Sequence, residues 1–229
     1  MHNGFSLLEL LIALALGVSL LSIVIINTSQ SATLSKRINH KQETLEAIFH
    51  TVDTIKSDLT KCGMRLQEAG GRFGLNLFRC SGDRFSFMLG AGSEMILETA
   101  LAGEKQLAMN RNDYFRKNKE ILIYSREGQV FEFNRISGWN GGRLELIQPL
   151  QNGYAPHSPI VVVKTIEYKF FPKQQCLKRK VDRGHFQPLI ENVTDFYVNF
   201  FSESNSVLYR LEVNAKEQVR GYIFLVNMV

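Results

Sequence analysis

The start of the chain contains an apolar run that is long enough to cross a lipid bilayer. The run extends from Phe5 to Ile26, and Glu9 is its one charged residue. At about 1.5 Å per residue, a helix of this length spans roughly 33 Å, enough for the hydrocarbon core. It exceeds the roughly 7–15 apolar residues of an ordinary cleavable signal peptide, and no A-x-A-like cleavage site follows it. The sequence therefore predicts a membrane-spanning helix, of which a plain signal anchor is the simplest form.

Glu9 is the feature that a plain signal anchor does not explain. A carboxylate in a bilayer costs about 2.5–3.5 kcal/mol on insertion scales, so such residues usually have a function and a partner. The nearest basic residues in the sequence are His2 and Lys36. Proteolysis after Gly4 would create another cation, the free amine of Phe5, four residues before Glu9. That amine could pair with the carboxylate within one helix or between neighbouring chains, where the pair would fix their axial stagger.

The stretch from Gly4 to Ala13 reads GFSLLELLIA and resembles the class III signal of type IV pilins and type II secretion pseudopilins. It combines a Gly before a Phe, a Glu at the fifth position after the cleavage point and a long apolar helix. The resemblance implies that a prepilin peptidase cuts after Gly4 and methylates Phe5, and that Glu9 acts in assembly. It also implies other pilins or pseudopilins, and an inner-membrane assembly platform, as partners. An unprocessed signal-anchor protein with a soluble head is the alternative.

The same resemblance implies a location. The precursor would cross the inner membrane once, with its C-terminal head in the periplasm, and would then join a pilus or pseudopilus filament. The first basic pair, Lys36-Arg37, lies after the span, and loop charge alone would favour a cytoplasmic C-terminus. We give the motif more weight than the loop charge.

A helical pattern continues beyond the apolar run. Apolar residues recur at spacings of three, four and seven and form one helical face: Leu34, Ile38, Leu45, Ile48, Val52, Ile55 and Leu59. This pattern predicts one helix from about Ser6 to Cys62, with residues 27–62 packed on a head domain. A two-chain coiled coil has the same spacing and is the alternative.

Residues 63–229 have the pattern of a β-rich head. The glycine-rich segment Gly63–Asp83 is predicted as a loop, Ser137–Gly142 as a hairpin loop, and Glu94–Asn112 as a short helix or an irregular crossing. Alternating apolar residues predict eight strands: Arg84–Leu89, Glu120–Ser125, Gln129–Ile136, Arg143–Leu150, Ile160–Phe171, Thr194–Phe201, Val207–Val213 and Arg220–Val226.

The predicted fold class is α+β, with a long N-terminal helix and a C-terminal antiparallel sheet, which is the pilin architecture. The predicted divisions are a leader over residues 1–4, a membrane or filament-core helix over 5–26, an amphipathic helix over 27–62 and a head over 63–229. Ile55–Met64 and parts of the final third resemble PilW-like minor pilins and GspJ-like minor pseudopilins. That resemblance implies a position at the filament tip, in a complex that starts assembly.

Signals for enzymatic chemistry are weak. The five histidines (His2, His40, His50, His157 and His185) have no metal-ligand spacing, and no H-E-x-x-H, C-x-x-C, phosphate-binding loop or G-x-S-x-G motif is present. The sequence therefore predicts no enzyme activity, no cofactor and no metal site. Asp53 and Asp58 do not share a helical face well, and we predict that both are solvated.

Three cysteines allow one disulfide at most. If the head lies in an oxidising compartment, as the resemblance implies, Cys62 and Cys80 are candidates because they bracket the glycine-rich segment. Their disulfide would stabilise the fold by about 3 kcal/mol on the loop-entropy model. A pairing that includes Cys176 and a set of three free buried thiols are the alternatives.

The segment Ile160–Ile190 carries the whole positive excess of the chain, +5. Its candidate contact residues are Lys178, Arg179, Lys180 and Arg183, and its aromatic residues are Tyr168, Phe170, Phe171 and Phe186. Basic and aromatic residues together suit single-stranded nucleic acid. A second hypothesis is therefore a tip-located binding module for DNA uptake or surface adhesion. Two alternatives are a solvated sheet face with inward aromatics, which we favour, and a contact with anionic lipid headgroups.

Overall fold

The computed structural model describes residues 7–228, apart from the side chain of Leu8. The chain divides into two compact units, with the boundary between His50 and Thr51. Unit 1 ends at His50, and unit 2 begins at Thr51. Helix α1 (Leu7–Leu59) runs through this boundary. The two units are described separately.

The described part of unit 1, residues 7–50, is the first part of α1. The sequence of this part is rich in Leu, Ile and Ala and contains no Pro, so helical hydrogen bonds can form without interruption. The membrane-length helix predicted from the sequence is therefore present in the described residues. At about 1.5 Å per residue, the part of α1 within unit 1 is roughly 66 Å long.

Unit 2 consists of the last turns of α1, helix α2 (Gln67–Phe73) and twelve strands. The strands are β1 Phe78–Ser81, β2 Arg84–Met95, β3 Gln106–Ala108, β4 Glu120–Tyr124, β5 Phe131–Asn140, β6 Arg143–Leu146, β7 Pro159–Phe171, β8 Cys176–Val181, β9 Gln187–Glu191, β10 Val193–Phe201, β11 Ser206–Val213 and β12 Glu217–Phe224. The chain is therefore α+β, with a long N-terminal helix followed by antiparallel sheet.

The larger sheet is organised around β7. Its strand order is β1-β2-β7-β4-β5-β6-β3, and every pairing is antiparallel. One side of β7 pairs with β2 over most of its length. On the other side, residues 160–163 pair with β4 and residues 166–171 pair with β8, which in turn pairs with β9. The second half of β7 therefore lies between β2 and β8.

Strands β10, β11 and β12 form a second antiparallel sheet. Aromatic rings join it to the larger sheet: the centroids of Phe78 and Phe200 are 5.0 Å apart, and those of Phe85 and Phe196 are 6.2 Å apart. The amide of Val198 also donates to the carbonyl of Gly82 at 2.9 Å. These contacts bury the inward residues of both sheets.

Two apolar clusters fill the larger sheet. One packs around Ile121, Ile123 and Val162 and includes Leu144 and Tyr154. The other packs on the opposite face of β7, where Val161 and Val163 contact Leu66, Ala69, Leu77, Leu122 and Tyr124. Because β7 is buried on both faces in its first half, its sequence there is a continuous apolar run rather than an alternating one.

All eight predicted strands overlap strands of the structure, with different ends. The predicted strand Arg84–Leu89 continues to Met95, and the predicted hairpin loop is shorter, since β5 continues to Asn140. The turn itself is Gly141-Gly142, and both have positive φ, which glycine adopts without strain. Glu94–Asn112 contains no helix; it includes the end of β2 and strand β3.

The prediction that Gly63–Asp83 is a loop was wrong. This segment contains helix α2 and strand β1. Its glycines serve packing and turns rather than disorder: Gly63 has a positive φ, and a Cβ there would lie 2.4 Å from the carbonyl oxygen of Asn227. Glycine content alone therefore gave the wrong assignment, because glycine here serves a close backbone approach at Gly63 and left-handed turns at Gly74 and Gly82.

The predicted apolar face of residues 27–62 is covered only in part. Val52, Ile55 and Leu59 are buried in unit 2. Leu34 and Ile38 are 59% and 55% exposed, and Leu45 is also exposed. The spacing correctly predicted a helix along this stretch. It did not predict where along the helix the apolar face is covered.

Candidate functional site

The apolar part of α1 has no cover along its length. The large apolar side chains between Leu7 and Ile26, apart from Leu8, are each between 52% and 79% exposed. Among the described residues, α1 is the one helix that is long and apolar enough to cross a membrane. A soluble helix normally hides its apolar residues on one face. Here they occur on all sides, which is typical of a helix surrounded by lipid or by other apolar helices.

Hydroxyl side chains in this part of α1 and just after it bond within the helix itself. The hydroxyl of Ser19 donates to the carbonyl of Ala15 at 2.8 Å, and that of Ser22 donates to Val18 at 2.8 Å. Thr28 donates to Val24 at 2.9 Å. Each bond spans four residues and needs no water. The hydroxyls therefore add little cost when the helix enters an apolar environment.

Of the residues that the pilin-like motif singles out, the structure describes Glu9. Gly4 and Phe5 lie outside the described residues. Glu9 is exposed and lies in the first turn of α1 as described. A carboxylate near a helix N-terminus also interacts favourably with the helix dipole. The acid therefore lies at the end of the apolar helix where an N-terminal amine would have to approach it.

Strand alternation divides the basic segment between two faces of the larger sheet. In the antiparallel pairing of β7 with β8, Glu167 is opposite Lys180, Tyr168 is opposite Arg179, and Lys169 is opposite Lys178. Paired residues share a face and neighbours along a strand do not. Lys178 and Lys180 therefore lie on one face and Arg179 on the other. The predicted contact residues Lys178, Arg179 and Lys180 therefore do not form one surface.

Arg179 is on the inner face, where it binds the end of α1. Asp58 accepts a hydrogen bond from Arg179 Nε at 2.7 Å and another from the Tyr168 hydroxyl at 2.6 Å. Asp58 is only 7% exposed. The prediction that Asp58 is solvated was therefore wrong, whereas Asp53 is exposed as predicted. Arg179 is engaged in this contact and is not a free surface cation.

The environment of this cluster affects its acid–base properties. Burial raises the pKa of Tyr168, and the hydrogen bond to Asp58 and the negative charge of that carboxylate raise it further. For Arg179, burial opposes the charged form, but the hydrogen bond and charge of Asp58 outweigh it, so its pKa is raised. The tyrosine thus stays neutral and the arginine stays charged at physiological pH. The cluster holds α1 to β7 and β8.

The outer face combines lysines with aromatic rings. The Nζ atoms of Lys169 and Lys178 are 5.1 and 5.0 Å from the centroid of Phe171, and that of Lys180 is 4.8 Å from the centroid of Phe186. The two rings meet edge to face at 5.4 Å. The expectation of inward aromatics therefore holds for the buried Tyr168 and Phe170 but is wrong for Phe171 and Phe186, which are half-buried.

Arg183 lies in a different place, beside a small cavity of about 310 Å³. Lys117, Lys119, Thr165 and Asp182 also line this cavity, and Lys119 contacts the Asp182 carboxylate at 2.8 Å. Sequence reasoning missed Lys117 and Lys119 because they lie more than 40 residues before the basic segment. Their cluster R-K-N-K at 116–119 was a visible signal, but only the fold brings it to Asp182.

The three cysteines are free thiols in the structure. Cys62 is buried, with its sulfur 3.9 Å from the carbonyl of Leu77 and 3.6 Å from the sulfur of Met228. Burial raises the pKa of Cys62 to about 12. Cys80 is exposed on β1, so the structure does not form the Cys62–Cys80 disulfide. Neither does it show three buried thiols, since only Cys62 and Cys176 are buried.

Within residues 7–228, no group of three or more His, Cys, Asp or Glu side chains is placed to hold a metal ion. No protein-family model matches the chain. The comparison with curated proteins gives no match either. The features that bear on function are therefore the N-terminal motif, the apolar part of α1 and the basic segment.

Proposed function

We propose that this chain is a minor pilin or pseudopilin, a subunit of a type IV pilus or of a type II secretion pseudopilus. The observation that carries the proposal is the uncovered apolar helix of unit 1 with one acid, Glu9, near its start. Such a helix needs lipid before assembly and equivalent helices after it. A filament with a helical core supplies the second environment.

In this proposal the precursor crosses the inner membrane once, with unit 2 in the periplasm. Prepilin peptidase cuts after Gly4 and methylates Phe5. The apolar helix then leaves the bilayer and packs against the helices of neighbouring subunits. Glu9 neutralises the amine of an adjacent subunit's first residue, which sets the stagger between the two helices.

The remaining exposed residues of α1 also suit a packed assembly. Leu34 and Ile38 continue the apolar surface beyond the bilayer-length part and are not covered within this chain. In a filament, neighbouring subunits would cover them, as the coiled-coil alternative also requires. Unit 2 would present its sheets and loops at the filament tip, where the subunit would help to start assembly.

Mass spectrometry of the N-terminus tests the processing step. Protein extracted from membranes should begin at Phe5 and carry one methyl group on its amine. A chain that retains Met1 would contradict processing and would leave a signal-anchor protein with a soluble head.

Replacing Glu9 tests the assembly step. We expect Glu9→Leu to stay in the membrane but to enter filaments at least about tenfold less, because breaking a charge pair in apolar surroundings costs more than about 1.4 kcal/mol. Glu43→Leu is the matched control, since Glu43 is exposed on the same helix outside the apolar part. The measurement is the amount of each variant in sheared filaments relative to membranes. Equal incorporation of both variants would contradict the role of Glu9.

A further inference from the structure

The outer face of the larger sheet carries two rows of side chains that run across four adjacent strands. One row contains Arg79 on β1, Ser86 on β2, Glu167 on β7 and Lys180 on β8. The next row contains Ser81, Arg84, Lys169 and Lys178 on the same strands. Residues opposite each other on paired strands share a face. We call this surface the basic face; it also includes Phe171 and Phe186 at one end.

The basic face has a strong excess of positive charge. Its cations are Arg79, Arg84, Lys169, Lys178 and Lys180, and its one acid in these rows is Glu167. That carboxylate contacts Arg84 at 3.2 Å and Lys180 at 2.6 Å. Among the described residues, Lys169 and Lys178 make no ion pair; they lie over the Phe171 ring instead. The face therefore has charge to offer an external anion.

The chemistry of the face favours a nucleic acid over a protein or a membrane. Protein interfaces are depleted in lysine, and three of these five cations are lysines. Membrane insertion needs apolar side chains that protrude, whereas Phe171 and Phe186 are half-buried with ammonium groups over their rings. Lysines bind phosphates as mobile point charges. A cation–π contact at a partly exposed site is weak enough for a lysine to leave its ring for a phosphate.

We propose that the basic face binds the sugar–phosphate backbone of a single-stranded nucleic acid without sequence preference. Lys169, Lys178 and Lys180 contact phosphates, and Phe171 and Phe186 stack on unpaired bases when the lysines move to the phosphates. Duplex DNA offers the same phosphates but no unpaired bases to the rings. This inference does not depend on filament assembly, since it concerns a surface of unit 2 alone.

The test uses the full chain in nanodiscs of uncharged lipid and a fluorescein-labelled oligothymidylate of about 20 nucleotides. Anisotropy titrations between about 50 and 200 mM salt give the affinity and its salt slope. Each phosphate contact contributes about 0.7 to the slope for single strands, so replacing the three lysines by Gln should reduce it by about 2. We also expect at least a tenfold loss of affinity at about 50 mM salt.

A control with the same charge change is Lys41→Gln, Lys105→Gln and Lys216→Gln, all at exposed positions that do not belong to the two rows of the basic face. It should keep nearly the wild-type slope. A second variant, Phe171→Leu with Phe186→Leu, should weaken binding several-fold and leave the slope unchanged, because stacking does not release counterions. The fluorescence of Trp139, the one tryptophan of the chain, checks that each variant has folded.

Four results would overturn the proposal. The first is no binding by the wild type, and the second is an equal loss in the control and the basic-face lysine variant. The third is equal affinity for a duplex of the same length, which would contradict the single-strand assignment. The fourth is that the wild type binds anionic-lipid vesicles more tightly than the oligonucleotide and the three-lysine variant loses that vesicle binding, which would assign the face to membrane headgroups.

Discussion

Unit 1 and unit 2 reach their structures in different ways. In the described part of unit 1, the backbone forms helical hydrogen bonds to residues four positions away, and the side chains of Ser19, Ser22 and Thr28 also bond four residues back. The large apolar side chains of its bilayer-length part, Leu7 and Leu10–Ile26, have no cover within the chain, although Ile48 near its end is buried. In unit 2, residues far apart in sequence cover one another, as Asp58 and Arg179 do. The first structure is local and lacks a partner surface, whereas the second is long-range and has its own core.

The two units differ in what they need from their surroundings. A helix like that of unit 1 is stable only where lipid or other helices surround it, because exposed apolar area is costly in water. Unit 2 needs no such cover for its core. Changes in unit 1 should therefore alter location and assembly, while changes in unit 2 should alter the free energy of unfolding.

The largest effect should come from charge in the apolar helix. Leu14→Arg together with Leu21→Arg places two arginines seven residues apart, each costing about 2.5–3.5 kcal/mol in the bilayer. We expect the chain to leave the carbonate-resistant membrane fraction, while Trp139 in unit 2 keeps its native fluorescence. Ser35→Arg with Gln42→Arg, on the same helix after the apolar part, should remain in the membrane. Loss of native Trp139 fluorescence in the first variant would contradict the independence of the two units.

The next effect concerns the contact between α1 and the sheet within unit 2. Asp58→Ala leaves the Arg179 charge and the Tyr168 hydroxyl without their acceptor, which should lower the free energy of unfolding by about 3 kcal/mol. Asp53→Ala, at an exposed position five residues earlier, should change it by less than about 0.5 kcal/mol. Guanidinium unfolding followed by Trp139 fluorescence in detergent measures both. Similar transitions for the two variants would mean that the buried cluster does not stabilise unit 2.

The smallest effect is a difference in thiol reactivity that leaves stability unchanged. Cys80 is exposed, whereas Cys62 and Cys176 are buried, and burial raises the pKa of each buried thiol. Because the thiolate is the reactive form, one thiol should react quickly with a disulfide reagent at about pH 8, and all three after unfolding. A Cys62–Cys80 disulfide would instead leave no fast thiol in the folded protein and one in the unfolded protein.

The sequence predicted much of the fold because the local patterns were strong. Alternating residues such as Phe196, Val198 and Phe200 located β10, and the apolar run Ile160–Val163 located the start of β7. Strands β1, β3 and β9 were missed because they are short, at four, three and five residues, and carry little alternation. Strand β8 was missed because its sequence, CLKRKV, is dominated by charge.

The candidate site was only partly predictable, because strand pairing decides on which face each of its residues lies. The basic and aromatic residues of 160–190 were visible in the sequence, but their faces depend on the pairing of β7 with β8. That register places Lys178 and Lys180 beside Phe171 and Phe186, and it turns Arg179 towards Asp58. A shift of one residue would exchange the two faces.

The sequence by itself determined the membrane-length helix, its single acid at Glu9 and the alternating strands, because these depend on neighbours a few residues apart. Only the tertiary structure decided that Asp58 is buried, that the basic segment has two faces and that the three thiols are free. Burial and charge pairing depend on which distant segments meet. Local periodicity shows that a helix or strand has two different faces, but long-range packing decides which face is covered.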